Sequence, residues 1–310
     1  MDETMNFKQL GVSLSYSRVQ KLGDRLEGIS DLIDWSKFKE LLERKSKVGR
    51  PPYDPVLMIK MLVLQSWYNI SDEELEYQVA DRISFQKFLG FPKNVPDHST
   101  VWRFREYLTE EGISDLVWGE LKRQMEKQRI TFSKGVIQDA SFNVAPPGKT
   151  NSTMKDRGRG QPTTRNEDGA WSKKGKKSYF GYKDHIKMDS ENDIVTELAV
   201  TPANVHDGRI DLASPDEITY RDKGYFGCKT KARGDATMKR AVRGHPLQIR
   251  DKLRNKRIPK KRSPGERPFA VVKRVMKGGS TMLTELHRVF VQSMMRYFTY
   301  NLIQMRRILR

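Results

Sequence analysis

The chain changes its rule of construction near residue 133. Before that point apolar residues follow helical spacing between marked caps; from Gly135 onward they gather in short strand-like runs. A chain written this way folds as an all-helical part followed by an α/β part, and 310 residues are enough to give each a core. We therefore expect domains at 1–130 and 131–310. In the first, Val56 to Trp67 is nearly continuously apolar, with Asp54 as its cap and Pro55 in its first turn. Ser71-Asp72-Glu73-Glu74 is a capping box that opens a helix through Val79. Ser84 starts a short helix ending at Gly90, Asp97 precedes Val101–Leu108, and Ser114 precedes a helix reaching about Lys127. Short helices with tight polar turns form a helix-turn-helix-like bundle, which serves DNA binding or dimerisation equally well.

In the second part, Gly135–Val144 (GVIQDASFNV) reads as a strand with Asp139 in its middle. Residues 145–177 are rich in Gly, Pro, Ser, Thr, Lys and Arg and read as a mobile basic loop. Tyr179–Met188 and Ile194–Thr201 form a hairpin, and a short helix follows Asn204. Glu217–Arg221 and Thr237–Val242 are further strands. Residues 243–265 are partly helical, then loop. A helix opens at Ser263, Pro264 and Glu266 and runs to about Met276, and the apolar spacing from Met282 to Leu309 is that of a terminal helix packed on a sheet.

Charge divides along the same line. Residues 1–130 carry 20 basic and 21 acidic side chains, whereas 131–310 carry 38 and 18. From Arg243 to Arg262 there are nine basic residues and one acid, Asp251. A neutral part joined to a strongly basic part implies a directed polyanion surface, with nucleic acid as the partner and a merely solvated face as the bland alternative. There is no apolar run long enough for a membrane helix and no secretory leader at the start, so a cytoplasmic, nucleoid-associated protein with no membrane partner is expected. One cysteine, Cys228, and five scattered histidines exclude an internal disulfide and argue against a structural zinc site.

Three strands in series, a helix, a fourth strand, then helices around a fifth is an order compatible with a ribonuclease-H-like mixed five-stranded sheet with flanking helices. In that arrangement Asp139 lies on the first strand, Asp222 at the end of the fourth, and Glu266 on a later helix. Carboxylates suit hard divalent cations. Spacings of 82 and 43 intervening residues fit salt-bridged surface acids just as well. Glu266 has more local support, because Arg262-x3-Glu266-x6-Lys273 puts acid and lysine on one helix face about 10 Å apart.

With these residues in place, the chain resembles the DDE transposases of bacterial insertion sequences with the Tyr-x2-Arg-x3-Glu-x6-Lys signature. The matching stretches, in order, are GRPPYDPVLMIKMLVLQSWYNISDEELEYQVADRISFQKFLGF at 49–91, DHSTVWRFREYL at 97–108, VIQDASF at 136–142, GYKDHIKMD at 181–189, TPANVHD at 201–207 and DKGYFG at 222–227. The resemblance implies a ribonuclease-H-like catalytic domain after a helical DNA-binding domain. It implies Asp139, Asp222 and Glu266 as catalytic and metal-binding residues for two Mg²⁺ ions, with Mn²⁺ as a substitute. It implies cutting at terminal inverted repeats, joining of 3′-hydroxyl ends to target DNA, and a homodimer on double-stranded DNA. Arg262, Lys273, Lys183, His185, Arg103 and Arg105 are the expected DNA contacts. A catalytically silent DNA-binding regulator of the same ancestry is the alternative. Two departures stand out: Pro259 replaces the signature tyrosine, and the gap between Asp222 and Glu266 leaves no room for a large inserted β-domain.

Overall fold

The computed structural model describes residues 7–43, 51–110, 112–130, 132, 135–148 and 166–309. The central part of the expected loop at 145–177 and the first two residues of the 49–91 stretch lie outside them. The described residues divide into two compact units, one up to Gln128 together with those from Leu302 onward, the other Arg129–Asn301.

The first unit is helical: α1 (Phe7–Lys21), α2 (Ser36–Leu42), α3 (Pro55–Tyr68), α4 (Asp72–Asp81), α5 (Ile83–Leu89), α6 (His98–Leu108) and α7 (Ile113–Lys127). The caps sit where local chemistry requires them. Asp54 accepts from Val56 N at 3.1 Å, Ser71 Oγ from Glu74 N at 3.2 Å, and Asp97 from Thr100 N at 2.7 Å. Gly90 closes α5 with a left-handed φ of 82°. Helices α1 and α2 carry weak periodicity and are not evident in the sequence. The apolar side of α3, including Ile59, Val63 and Leu64, is fully buried. Lys60 lies over the rings of Trp35 and Phe88. Helices α4 and α6 are joined by a bidentate pair, Arg105 Nη1 and Nη2 to the two Asp72 oxygens at 2.9 and 2.8 Å, with Gln65 completing the cluster.

The second unit is built on a mixed sheet of six strands: β1 (Gly135–Val144), β2 (Ala170–Lys174), β3 (Lys177–Asp189), β4 (Val195–Pro202), β5 (Ile218–Arg221) and β6 (Gly234–Thr237). The order is β2-β3-β1-β5-β6, with β4 also paired to β3. β1, β3 and β4 pair antiparallel; β5 and β6 run parallel to β1. The sixth strand corrects the expected five. β2 falls in the expected loop, where its lysines hide the alternation, and a two-residue turn at Gly175 (φ 62°) and Lys176 folds it onto β3.

Four further expectations shift. β6 ends where a strand was expected to begin. Residues 249–262 form a full helix, α8 (Ile249–Arg262), which tolerates Pro259 near its end. The expected helix from Glu266 divides into α9 (Glu266–Ala270) and a π turn over Val271–Val275. The short helix expected after Asn204 is a single 3₁₀ turn, Asp207–Arg209, capped by the His206 ring.

Helix α10 (Leu286–Ile308) covers one face of the sheet through Val289, which packs in a cluster with Ala145, Phe180, Tyr182 and Val200. Beneath it lies a polar network. Buried Asp184 accepts from Ser293 Oγ at 2.9 Å, and Arg296 donates to Ser280 O at 2.7 Å and to Asn143 at 3.5 Å. Asn301 satisfies both backbone groups of Val195 on β4, at 3.0 and 2.8 Å. Among the described residues no helix is long and apolar enough to cross a membrane.

Because Arg105 is mostly buried against Asp72, its loss leaves a shielded carboxylate without its partner. Arg105→Ala is expected to lower unfolding stability by about 2–3 kcal/mol, read as the urea midpoint of the helical unit.

Candidate active site

The parallel pairing of β1 and β5 sets the geometry. Ile137 is level with Tyr220, and Asp139 and Asp222 each lie two residues further on. The two acids thus stand beside each other, Asp139 in the middle of β1 and Asp222 just past the end of β5. Period-two alternation gives both the same face as Ile137 and Tyr220. Asp222 leaves the strand to cap the 3₁₀ turn Lys223–Tyr225, accepting from Gly224 N at 2.7 Å. The turn is fastened by Arg221. Its fully buried guanidinium donates to Thr237 Oγ1 at 2.8 Å and Cys228 O at 3.2 Å, pairs with Asp235 at 3.3 Å, and lies 5.4 Å from the Tyr225 ring centroid.

The third acid reaches the same face by close backbone approach. A methyl group on Gly265 would come within 2.5 Å of Ile137 Cγ2, so the Ser263–Gly265 turn lies directly on β1 two residues before Asp139. Glu266 follows at once, with its side chain 75% exposed. Arg262, at the end of α8, spans the gap: Nη1 donates to Asp139 Oδ2 at 2.6 Å and Nη2 to Glu266 Oε1 at 3.5 Å. The second Asp139 oxygen accepts from Ala140 N at 2.9 Å.

Burial pushes the Asp139 carboxyl up to about 6; Arg262 and the Ala140 amide oppose the rise, and the charge of Asp222 adds to it. Among the described residues no three His, Cys, Asp or Glu side chains close into one metal-holding group. Asp139 and Asp222 are neighbours, and Glu266 joins Asp139 only through Arg262. The donor chemistry nonetheless suits a hard divalent cation: carboxyl oxygens alone, with the Arg262 guanidinium as a positive stand-in between two of them.

The remaining expected contacts fall into two sets. Lys273 lies at this face, its Nζ 2.6 Å from Ser141 Oγ. Arg103 is exposed on α6. The others have structural partners. Lys183 is bound by Val205 O at 2.9 Å and Asp207 Oδ1 at 2.7 Å, with its side chain 11% exposed. His185 is fully buried with Nε2 at 2.8 Å from Thr201 Oγ1, and burial pushes its pKa down to about 4. It alternates onto the face opposite Asp139 and is buried there. Arg105 is likewise held by Asp72. Three residues of the site escape sequence reasoning: Gly265, Arg221 and Ser141. Only Ser141 leaves a signal, two positions after Asp139 on the same strand face.

A family model described as "Transposase DDE domain" matches residues 131–302, and one described as "Transposase domain (DUF772)" matches residues 14–107. No solved structure matches the chain.

The contact between Gly265 and Ile137 makes the site sensitive to one methyl group. Gly265→Ala is expected to destabilise the sheet unit by about 1–3 kcal/mol, measured by urea unfolding, because the added carbon has only β1 to displace.

Proposed function

The chain belongs to the DDE transposases of insertion sequences, and on that premise we propose that it cuts DNA at the terminal inverted repeats of its element and joins the freed 3′-hydroxyl ends to target DNA. The observation that carries this reading is the register that sets Asp139, midway along β1, beside Asp222, just past the end of the parallel β5, with Glu266 linked to Asp139 through Arg262. The strand order supports a ribonuclease-H-like sheet: β4-β3-β1 antiparallel, then β5 and β6 parallel to β1, with β2 as an added hairpin strand.

Asp139, Asp222 and Glu266 are the residues that would hold the metal, two Mg²⁺ ions in this reading. Bound there, such ions supply activation of a water or 3′-hydroxyl and stabilise the leaving 3′-oxygen in an in-line displacement at phosphorus. The chain's own cations hold the strand. Arg262 presents a planar fork that matches a phosphate once its carboxylates are otherwise engaged. Lys273, on the same face as Asp139, supplies a point charge for a phosphate of the same strand.

Helix α8 extends this grip. Ile258 is buried, Arg254 donates to Asp235 O at 2.5 Å, and Asn255 holds both backbone groups of Lys239, at 2.9 and 2.8 Å, so one side of the helix is anchored. Arg250, Lys252, Lys256, Arg257, Lys260 and Lys261 remain exposed on a helix that ends at Arg262. A duplex lying along it would be led to the acids. Arg103 is the contact assigned to the helical unit, and the assembly is a dimer on DNA in which each protomer's acids act on the end bound by the other.

The test is strand cleavage of duplexes carrying the flanking repeats, in Mg²⁺, by the wild type and Asp222→Asn. Nicks at the repeat boundary by the wild type alone are expected; tight binding with no cleavage by either protein in Mg²⁺ or Mn²⁺ contradicts the reading. For α8, the triple variant Lys252→Ala/Lys256→Ala/Lys260→Ala is expected to weaken binding to all duplexes alike. Its log K against log salt slope should be shallower by about 0.9 for each phosphate that is no longer neutralised.

A further inference from the structure

Lysine is a flexible side chain, and a lysine on a helix surface ordinarily samples many rotamers. Lys273 is instead held from three sides. The helix beneath it leaves α geometry: Met276 N bonds Val271 O at 3.0 Å, five residues back, so Lys273 lies off the phase that a continuous helix from Glu266 would give it. Its stem crosses Gly279, where a methyl group would come within 3.2 Å of Lys273 Cγ. Gly279 is itself tied to the end of β1, since Val144 N bonds Gly279 O at 3.3 Å and Thr281 N bonds Val144 O at 2.8 Å. At the tip, Nζ meets Ser141 Oγ at 2.6 Å.

Ser141 and Asp139 are two residues apart on β1 and share a face, a separation of about 7 Å along the strand. We propose that Ser141 is a positioning residue for strand cleavage: its hydroxyl fixes the Lys273 ammonium over β1, about 7 Å along the strand from Asp139, where it meets the phosphate next to the scissile one. Ser141 touches neither DNA nor metal in this role and acts only through Lys273. The inference rests on the transposase reading above and deepens it.

A double-mutant cycle separates positioning from general support of the fold. Single-turnover cleavage of end DNA would be measured for the wild type, Ser141→Ala, Ser141→Thr, Lys273→Ala and the double variant Ser141→Ala/Lys273→Ala. Ser141→Ala is expected to slow cleavage about tenfold, the scale of one hydrogen bond to a charged group. Ser141→Thr, which keeps the hydroxyl, should stay within about twofold of the wild type, and Ser141→Ala should add less than about twofold to Lys273→Ala. Wild-type rates for Ser141→Ala, or the same loss with and without Lys273, overturn the proposal. Should the wild type bind end DNA without cutting it, the transposase reading fails on its own. The same cycle read as DNA affinity in Ca²⁺ then decides the serine: coupled losses uphold its hold on Lys273, and additive losses overturn it.

Discussion

The register of two parallel strands sets one carboxyl group beside another, and the second unit is organised around that pair. The register of β1 with β5 brings Asp139 and Asp222 together, and burial and mutual charge leave Asp139 with a proton affinity far above an ordinary aspartate. The surroundings answer with positive charge. Arg262 binds Asp139 directly and Lys273 reaches Ser141, two residues further along β1, while Arg221, turned to the opposite face and paired with Asp235, locks the turn that follows Asp222. An acidic centre ringed by cations suits one class of ligand, a polyanion brought to the acids together with hard metal ions.

The rest of the unit supplies rigidity to that centre. β1 is central in the sheet, and its length lets it carry Ile137, Asp139, Ser141 and Asn143 on one face. Each meets a different element: Gly265, Arg262, Lys273 and the Asp184–Ser293–Arg296 network under α10. Buried polar groups of this kind stabilise little unless every partner is present, but they fix one arrangement of helix on sheet. Fixing α10 in turn holds the segment from Gly278 to Ser280, against which Lys273 and Arg296 both lie.

What the sequence reveals and what it conceals follow from the range of the forces involved. Caps at Asp54, Ser71 and Asp97 are local, so their side chains announce them within three residues. The strand bearing Asp139 and the end of the strand before Asp222 are legible from apolar alternation. β2 is not, because its exposed positions are Trp171, Lys173 and Lys174 and its turn, Gly175-Lys176, looks like more of the same basic loop. The π turn at Lys273 leaves no local pattern in the sequence. His185 and Arg105 sit in motifs that invite a DNA role, yet Thr201 and Asp72, 16 and 33 residues away in the chain, hold them within the fold. Gly265 is silent in sequence, since its requirement arises from Ile137, more than a hundred residues earlier.

Manganese-soaked crystals of the full chain, probed by anomalous scattering, test this arrangement most directly. The account predicts an anomalous peak bounded by Asp139 and Asp222, with the Arg262 guanidinium turned away from Asp139. A map with no peak between those two carboxylates and Arg262 still paired to Asp139, at manganese concentrations that support cleavage, would contradict it.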